Sequence, residues 1–493
     1  MSPLPSLASV TILSIHLCFA TFALAQSDRA IRSLAPLNPQ KSNGGLTERP
    51  RQVSPRIALL SKELKAGNKG AVESFWREMA KQGTPLIEPD KGQAGYYLVT
   101  FLWRQSGETK NVAIFSGVTD SNFVDKQMTR LTDTDVWFKT YQLRGDARFI
   151  YAFSINYTPG LAMKQWSSTL RADPLNKSRH ILDNVPNASL AELPDAPSQH
   201  WANRQADTPA GVVEWKKIKS AILSNERMAA IYTPPGYRAD ATPYGLLVVF
   251  DGIAYTVPAM VPTPVILDNL IAQNRIAPMV AVVLANVTTT SRSDELPCNP
   301  LFADFLAGEV VPWMRQNYNV TTDPSRIIVA GSSFGGLAAT YAGFRHPEVF
   351  GNVLSQSGSF WWKPKDDKRH EWLTRQLEAS PKLPVRFYLD VGLMERGTSQ
   401  KGDPNMLTVN RRMRDVLRAK GYQLFYQEFN GGHEYASWRG TFADGLLFLA
   451  GKDRIGKNRR SKTPSGRPLR EPRGDDRRQS PTLYASIPPA ERS

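Results

Sequence analysis

The chain has 493 residues, of which 41% are hydrophobic and 10% aromatic. This length exceeds one ordinary domain and the apolar content can build packed cores, so we exclude wholesale disorder and expect two domains with loose ends. The formal net charge of +16 favours an anionic ligand, but no nucleic-acid-binding motif accompanies it, which argues against nucleic acid as a partner.

Residues 1–25 have the character of a secretory signal peptide. They are mostly apolar and end in Ala23-Leu24-Ala25, a small-x-small cleavage site before Gln26. We therefore expect an exported protein and favour a bacterial periplasm as its compartment. After cleavage Cys298 is the single cysteine of the chain, so no internal disulfide can form.

Residues 53–157 have the pattern of a β-sandwich domain. Aromatic and β-branched residues gather in segments that partly alternate between polar and apolar positions, which is typical of strands. One helix is predicted from Gly70 to Gln82, because its apolar residues fall on one face. The predicted strands are YYLVTFLWR at Tyr96, NVAIFSG at Asn111, WFKTYQLR at Trp137 and ARFIYAFSIN at Ala147.

The segment 158–211 is rich in Pro, Asn, Asp and Ala, which marks a long connection. A run of this length without regular structure is unusual inside a compact domain. We therefore expect a linker that wraps a surface or joins two domains.

Residues 212–451 alternate between strand and helix patterns. Fully apolar strands separated by helices predict a mainly parallel sheet covered on both faces, so the fold class expected for this half is α/β. The predicted strands are Leu246–Phe250, Met279–Leu284, Ile327–Ala330, Val385–Leu389 and Leu424–Phe429, with helices that include Leu301–Tyr318 and Met406–Lys420.

The segment 452–493 carries 12 Lys or Arg against 5 Asp or Glu and few core-forming residues. Its composition predicts a disordered tail that is simply solvated. A weak contact with an anionic surface such as lipid headgroups is the alternative.

The motif Gly331-Ser332-Ser333-Phe334-Gly335 follows a predicted strand and precedes a predicted helix. This context is that of a nucleophile elbow, where glycines permit a tight turn that exposes the serine hydroxyl. Ser333 is therefore the candidate nucleophile, and the backbone N–H of Phe334 is a candidate donor to a developing oxyanion.

A serine nucleophile needs a base, and in α/β hydrolases the base comes last in the chain. Only His346, His370 and His433 follow Ser333. His346 precedes a proline at a predicted helix end, and His370 lies in a charged stretch. We predict His433 as the base, because its loop follows the last strand, at the edge where open α/β sheets bind ligands.

The carboxylate partner should follow the preceding strand, in the segment VRFYLDVGLMERG. Glu395 lies in the loop beyond the strand and can reach an imidazole more easily than Asp390, which lies at the strand's end. Glu395 is therefore preferred, with Asp390 as the alternative.

A second oxyanion donor is expected after the first long central strand, in LVVFDGIAY. The backbone N–H of Ile253 or of Gly252 is the candidate. The alternative is that Asp251 and Gly252 simply form a turn.

With these residues placed, the sequence resembles the ferric enterobactin (enterochelin) esterase family of the α/β-hydrolase superfamily. The resemblance covers most of the chain between the signal segment and the tail, and the strand-rich first half, ending in DPLNK at Asp173, is similar to the family's amino-terminal domain. The similar stretches are VVFDGIAY at Val248, SRSDELPCNPLFADFLAGEVVPW at Ser291, GSSFGG at Gly331, HPEVFGNVLSQSGSFWW at His346 and GGHEYASWRGTFADGL at Gly431.

The resemblance implies a serine esterase that hydrolyses the ester bonds of catecholate siderophores such as the enterobactin trilactone, so that iron is released. Ser333 and His433 match the family's nucleophile and base, and Glu395 stands at its loop carboxylate.

The resemblance also implies that Arg292, Trp361 and Trp438 line the substrate pocket. A cation and aromatic rings suit a bulky tricatecholate anion. We see no metal-ligand cluster in the sequence, so no cofactor is expected and iron would arrive with the substrate.

Two other functions fit parts of the same pattern. The first is an esterase for feruloyl or other sugar esters, with the β-rich half as a carbohydrate-binding module. The second is a protein that binds siderophores or glycans without chemistry.

Overall fold

A computed structural model describes residues 54–119, 123–160, 163–178, 187–397 and 404–452. The expected signal peptide and the basic tail beyond Lys452 lie outside these ranges. Within them, no helix combines the length and apolar character needed to cross a lipid bilayer.

The amino-terminal part contains two four-stranded antiparallel sheets. One has the strand order β1-β2-β5-β4, and in the other β6 pairs with β3, β7 and β8. The elements are α1 (Pro55–Lys65), α2 (Ala71–Gln82), β1 (Leu86–Pro89), β2 (Tyr96–Arg104), β3 (Val112–Ser116), α3 (Phe123–Lys126), β4 (Thr129–Arg130), β5 (Val136–Arg144), β6 (Arg148–Ile155), α4 (Met163–Ser168), β7 (Leu170–Arg171), β8 (Ser189–Glu192) and a 3₁₀ turn (His200–Ala202).

Side chains from both sheets share one apolar core. Val99 and Phe101 of β2 pack with Ile114 of β3 and with Phe149 and Tyr151 of β6. The rings of Phe101 and Tyr151 meet edge to face with their centroids 4.8 Å apart, the arrangement that aromatic pairs prefer.

The expected linker 158–211 is corrected by the strands that it contributes to this domain. β7 and β8 both pair with β6, and Leu170 and Leu190 are buried on them. With two and four residues, these strands are too short for the alternation that identifies a strand from sequence.

The carboxyl-terminal part is built on one eight-stranded sheet with the order β16-β15-β14-β13-β11-β12-β10-β9. The strands from β16 to β12 are parallel, and the hairpin of β9 and β10 adds antiparallel strands at one edge. The elements are β9 (Val212–Ser220), β10 (Asn225–Thr233), β11 (Gly245–Val249), α5 (Thr263–Ala272), β12 (Met279–Leu284), α6 (Thr289–Glu295), α7 (Pro300–Phe305), a π-helix (Leu306–Val310), α8 (Val311–Asn317), a 3₁₀ turn (Pro324–Arg326), β13 (Ile327–Ser332), α9 (Phe334–Arg345), β14 (Asn352–Gln356), α10 (Trp372–Ala379), β15 (Arg386–Gly392), α11 (Met406–Ala419), β16 (Leu424–Phe429) and α12 (Tyr435–Ala450).

Apolar cores cover both faces of this sheet. Successive side chains of a strand point to opposite faces, and accordingly Leu246 and Val248 belong to one core while Leu247 and Val249 belong to the other. The sheet is therefore packed on both faces, and the loops at its carboxyl edge are where ligands bind in open α/β sheets.

The helix predicted from Leu301 to Tyr318 is continuous in the structure from Pro300 to Asn317 but contains a π-helical turn. A π-helical turn over Leu306–Val310 separates α7 from α8. Pro312 explains the change, because a proline has no N–H to continue the regular hydrogen-bond ladder.

Replacing Leu247 with Ala tests the packing of the sheet. The side chain is fully buried, so the substitution should lower the free energy of unfolding by about 2–5 kcal/mol. Urea denaturation followed by tryptophan fluorescence measures the change. Leu301→Ala is the control, because that side chain is 52% exposed and its loss should change stability by about 0.5 kcal/mol or less.

Candidate active site

Ser333 lies in the tight turn between β13 and α9. Its backbone has φ +58° and ψ −122°, a conformation that non-glycine residues rarely adopt and that is typical of strained functional turns. The turn also requires the glycine at 331, since a Cβ there would lie 2.7 Å from the carbonyl carbon of Gly335. The structure therefore has the strained strand-to-helix turn of a nucleophile elbow.

The Ser333 hydroxyl lies 3.4 Å from the hydroxyl of Ser359. Among the described residues this is its recorded side-chain partner, and no hydrogen bond to His433 is formed. Catalytic hydrogen bonds are often long or misaligned without substrate, so this rotamer is compatible with the role of nucleophile that the sequence predicts for Ser333.

His433 follows β16 and hydrogen-bonds to Glu395, which follows β15. The distance from Nδ1 of the imidazole to Oε2 of the carboxylate is 2.5 Å. The His433 side chain is 30% exposed, whereas that of Glu395 is 2% exposed. A proton held on Nδ1 by Glu395 leaves Nε2 as an acceptor, which is the tautomer that a general base needs.

Glu395 is itself fixed by two further donors. Its Oε1 accepts hydrogen bonds from the Ser357 hydroxyl at 2.6 Å and from the Gly392 N–H at 2.7 Å. The indole N–H of Trp438 donates to the Ser357 hydroxyl at 3.0 Å. The carboxylate therefore has one orientation, with Oε2 left for the imidazole.

Of the two carboxylates that the sequence left open, the structure brings Glu395 to His433 and keeps Asp390 away from it. Asp390 is fully buried on β15 and accepts a hydrogen bond from the Ser357 N–H at 3.2 Å. Burial raises the pKa of Asp390 to about 8, which makes it a neutral carboxyl at neutral pH.

The loop expected to supply the second oxyanion donor begins at Asp251, whose φ is +57°. The Gly252 N–H donates to the Leu284 carbonyl at 2.8 Å, so the expectation of a Gly252 donor is corrected. The N–H groups of Ile253 and Phe334 have no recorded acceptor among the described residues. These two donors are therefore available, and that of Phe334 is at the positive end of α9.

Arg292 was expected to contact substrate, but its guanidinium is committed to Asp251. The side chain is 6% exposed, and its Nε and Nη2 lie 2.5 and 2.6 Å from the two carboxylate oxygens. Asn286 donates to the same carboxylate at 2.7 Å. In the structure Arg292 therefore holds Asp251, the residue at which this loop begins.

The two tryptophans expected in the pocket have different environments. Trp361 is half-buried, and its ring centroid lies 5.7 Å from that of Phe334, beside the elbow. Trp438 is only 3% exposed and packs edge-on against His433 with centroids 4.8 Å apart. The expectation for Trp438 is therefore corrected, because a buried indole supports the histidine and does not form a pocket wall.

Sequence reasoning missed Ser357 and Glu434. Ser357 hydrogen-bonds to Glu395, and Glu434, which is 5% exposed, accepts a hydrogen bond from the Ile150 N–H. The sequence shows only that Glu434 directly follows the predicted base, and its burial, which makes a carboxyl group unusual, is visible only in the fold. Across the described ranges, no cluster of His, Cys, Asp or Glu side chains is placed to hold a metal ion.

Comparison with known proteins gives the family. Models described as Esterase and as Enterochelin esterase, N-terminal match residues 220–449 and 98–202. An iron(III) enterobactin esterase from Dickeya dadantii is 30% identical over an alignment of 446 positions that covers 81% of this chain and 96% of the relative.

Comparison with solved structures points to the same family. The ferric enterobactin esterase of Salmonella typhimurium has a TM-score of 0.64 and 29% identity, with 76% of this chain and 98% of that chain covered. An enterobactin esterase from Shigella flexneri, solved in the presence of enterobactin, has a TM-score of 0.61 and 28% identity, with 76% and 97% covered.

The fold and these comparisons define a carboxylic-ester hydrolase. The alignment extends over 96% of the Dickeya dadantii relative, and the two family models match both parts of the chain. The chain belongs to the iron(III) enterobactin esterase family.

Replacing each acidic residue in turn with its amide tests which of the two carboxyl groups supports His433. Glu395→Gln should lower kcat by about 10³- to 10⁴-fold, because an amide no longer fixes the imidazole tautomer. Asp390→Asn should change kcat by about threefold or less, because Asn resembles the neutral carboxyl in shape. Steady-state hydrolysis of a chromogenic ester measures both, and equal losses would contradict the assignment.

Asp390→Asn should also change how stability depends on pH. The pKa of Asp390 is about 8 in the folded protein and about 4 when unfolded. Between about pH 4 and about pH 8 the folded state therefore binds more protons than the unfolded state, so the free energy of unfolding of the wild type falls as the pH rises through this range. The Asn variant lacks this loss. Its Tm relative to wild type should be higher at pH 8 than at pH 4.5, and a difference independent of pH would contradict the raised pKa.

Proposed function

We propose that this protein hydrolyses the ester bonds of a catecholate siderophore trilactone, with Ser333 as nucleophile, His433 as general base and Glu395 as its partner. The observation that carries the proposal is the 2.5 Å contact between His433 and Glu395 at the edge of the sheet where the strained Ser333 turn lies. A strained serine and an oriented imidazole in loops at the same edge of the sheet suit acyl transfer.

In the proposed reaction, Nε2 of His433 accepts the Ser333 proton as the hydroxyl oxygen attacks the ester carbonyl carbon. The carbonyl π electrons move to oxygen, and the N–H groups of Phe334 and Ile253 stabilise the oxyanion. As the tetrahedral intermediate collapses, the C–O bond to the alcohol breaks and His433 returns its proton to the leaving oxygen. His433 then deprotonates a water molecule that attacks the acyl carbon. As the C–O bond to Ser333 breaks, the imidazolium returns this proton to the serine oxygen, which releases the acid and restores the hydroxyl.

Glu395 remains a carboxylate throughout this cycle. Its Oε2 receives the Nδ1–H of His433, and the negative charge stabilises the imidazolium that forms when the serine proton is taken up. The bonds from Ser357 and Gly392 to Oε1 prevent the carboxylate from turning away. This preorganisation spares the reorientation that would otherwise accompany charge formation.

A siderophore substrate accords with the charge of the protein and with the names of its relatives. The whole chain has a net charge of +16, and a ferric tricatecholate is an anion. Trp361 offers an aromatic face beside the elbow, and the exposed side chain of Arg396, directly after Glu395, offers a cation. Aromatic and guanidinium groups both bind electron-rich catechol rings.

We also propose that the two amino-terminal sheets form a sandwich and that the protein is exported to the periplasm. The core shared by the two sheets supports the first point. The sequence Ala23-Leu24-Ala25 supports the second. Expression of the full chain in a Gram-negative host should give a periplasmic protein that begins at Gln26 by amino-terminal sequencing, and a cytoplasmic protein retaining residues 1–25 would contradict export.

Ser333→Ala and His433→Ala should each lower turnover of ferric enterobactin by several orders of magnitude, because either change removes the proton-coupled attack. Product analysis by liquid chromatography and mass spectrometry should show linear and monomeric catechol-serine products from wild type alone. Labelling of wild type, but not of Ser333→Ala, by a fluorophosphonate identifies the nucleophile.

A panel of feruloylated sugars and ferric enterobactin tests the substrate class. Preference for the sugar esters in kcat/KM would replace the siderophore assignment. Binding of ferric enterobactin without turnover or fluorophosphonate labelling would overturn the esterase reaction itself.

A further inference from the structure

We propose that the amino-terminal domain positions the general base of the esterase domain, with Glu434 as the positioning residue that ties the His433 loop to strand β6. The proposal rests on the function assigned to His433 above. It gives the amino-terminal domain a part in the chemical step, in addition to any contact that it makes with substrate.

The contact is made by the edge of β6. β3 pairs with β6 only as far as Tyr151, so the start of β6 has an edge without a β3 neighbour. The N–H groups of Arg148 and Ile150, two residues apart, point to the same edge because strand donors alternate. Both donate to the loop that carries His433: Arg148 to the Asn430 carbonyl at 3.0 Å, and Ile150 to both carboxyl oxygens of Glu434 at 3.1 Å.

Side-chain contacts flank these two bonds. Asn430 donates through Nδ2 to Asp146 at 2.7 Å, and Gln199 donates to the Ala436 carbonyl at 2.7 Å. Residues on both sides of His433 are therefore hydrogen-bonded to the amino-terminal part. These residues are 430, 434 and 436, in the loop and helix that flank the histidine. A loop held on both sides of the histidine has little freedom to reorient the imidazole.

The loop that carries the acid meets the same domain. Met394, the residue before Glu395, packs against the core of the amino-terminal sheets. A Cβ at Gly117 would lie 3.2 Å from the Cβ of Met394 and 3.6 Å from the Cα of Gly432. The end of β3 thus touches both the acid loop and the base loop, which lets one domain set the distance between them.

The close approach explains a glycine in the base loop. A Cβ at Gly431 would lie 2.7 Å from the Arg148 carbonyl oxygen, well inside contact distance. The Met394 N–H also donates to the Gly431 carbonyl at 3.1 Å, so residue 431 joins both loops to β6. The absence of a side chain at this position is what allows the domain to dock.

Burying the carboxyl group of Glu434 costs free energy, which is unusual for a contact that is purely structural. It is 5% exposed, and its burial, with the Glu395 carboxylate nearby, raises its pKa to about 8. At neutral pH it is chiefly a neutral acceptor for the Ile150 N–H. A Gln at this position keeps an acceptor oxygen, whereas an Ala leaves the Ile150 N–H without a partner.

The experiment compares Glu434→Gln and Glu434→Ala in the full chain. With p-nitrophenyl acetate, a small ester that needs little of the pocket, Glu434→Ala should lower kcat by about 10- to 100-fold with KM changed about twofold or less, since misplacement of a base affects the chemical step. Glu434→Gln should restore kcat to within about threefold of wild type. Fluorophosphonate labelling of Ser333 should slow in parallel.

Glu309→Ala is the matched control. Glu309 also accepts backbone N–H groups across a chain reversal, from Ala221 at 2.9 Å and Ile222 at 3.1 Å, but it serves the hairpin at the β9 edge, opposite the β15 and β16 edge. Its loss should lower Tm and leave kcat within about threefold of wild type. A similar fall in kcat for this variant would attribute the effect of Glu434 to general destabilisation.

Gly117→Leu approaches the same coupling from the amino-terminal domain and serves if Glu434→Ala fails to fold. The new side chain must displace Met394 or the Gly432 backbone, so kcat should fall about tenfold or more while circular dichroism stays that of wild type. The proposal is overturned if Gly117→Leu leaves kcat unchanged, or if Glu434→Ala equals Glu434→Gln in kcat. Full activity of Ser333→Ala would instead overturn the esterase mechanism, so the two failures are distinguishable.

Discussion

The hydrogen bond between Nδ1 of His433 and Glu395 is the constraint on which the site depends. It exists because β15 and β16 are adjacent and parallel, so the loops after them leave the sheet at the same edge. The turn that holds Ser333 follows β13, two strands further along the same edge. Parallel topology, maintained by apolar packing on both faces, therefore delivers three residues separated by 100 positions to one region.

Three buried carboxyl groups share this region, and their environments keep their charges apart. Glu395 accepts hydrogen bonds from Ser357, Gly392 and His433, whereas Asp390 accepts one from the Ser357 N–H at a longer distance and Glu434 is held by the Ile150 N–H. Burial raises the pKa of both Asp390 and Glu434 to about 8. Because like charges in a low-dielectric region repel strongly, the raised pKa values of Asp390 and Glu434 keep these two groups from adding negative charge beside the contact between Glu395 and His433.

What the sequence could predict here follows from how local each signal is. The Ser333 turn is encoded within five residues, and the parallel strands are apolar throughout, so both were visible as patterns. Glu395 was preferred over Asp390 from its place in the loop, but Asp390 stayed open as the alternative because strand ends are uncertain by a few residues in sequence-based assignment. Gly252 and Trp438 were misassigned because their partners, the Leu284 carbonyl and the Ser357 hydroxyl, are distant in sequence and are supplied only by the tertiary fold.

The loop before His433 and the start of β6 each lack something that the other supplies. The sequence Asn430-Gly431-Gly432 before His433 offers little side-chain packing of its own, and two glycines make such a segment costly to order. The start of β6 has the complementary problem, because N–H groups at a strand edge need acceptors when they are buried. Docking satisfies both needs at once: the loop supplies the acceptors, and β6 supplies the rigidity. In the proposed mechanism the imidazole must keep its position relative to the serine and the carboxylate to within a fraction of an ångström. A glycine-rich loop can provide that precision when the neighbouring domain holds it.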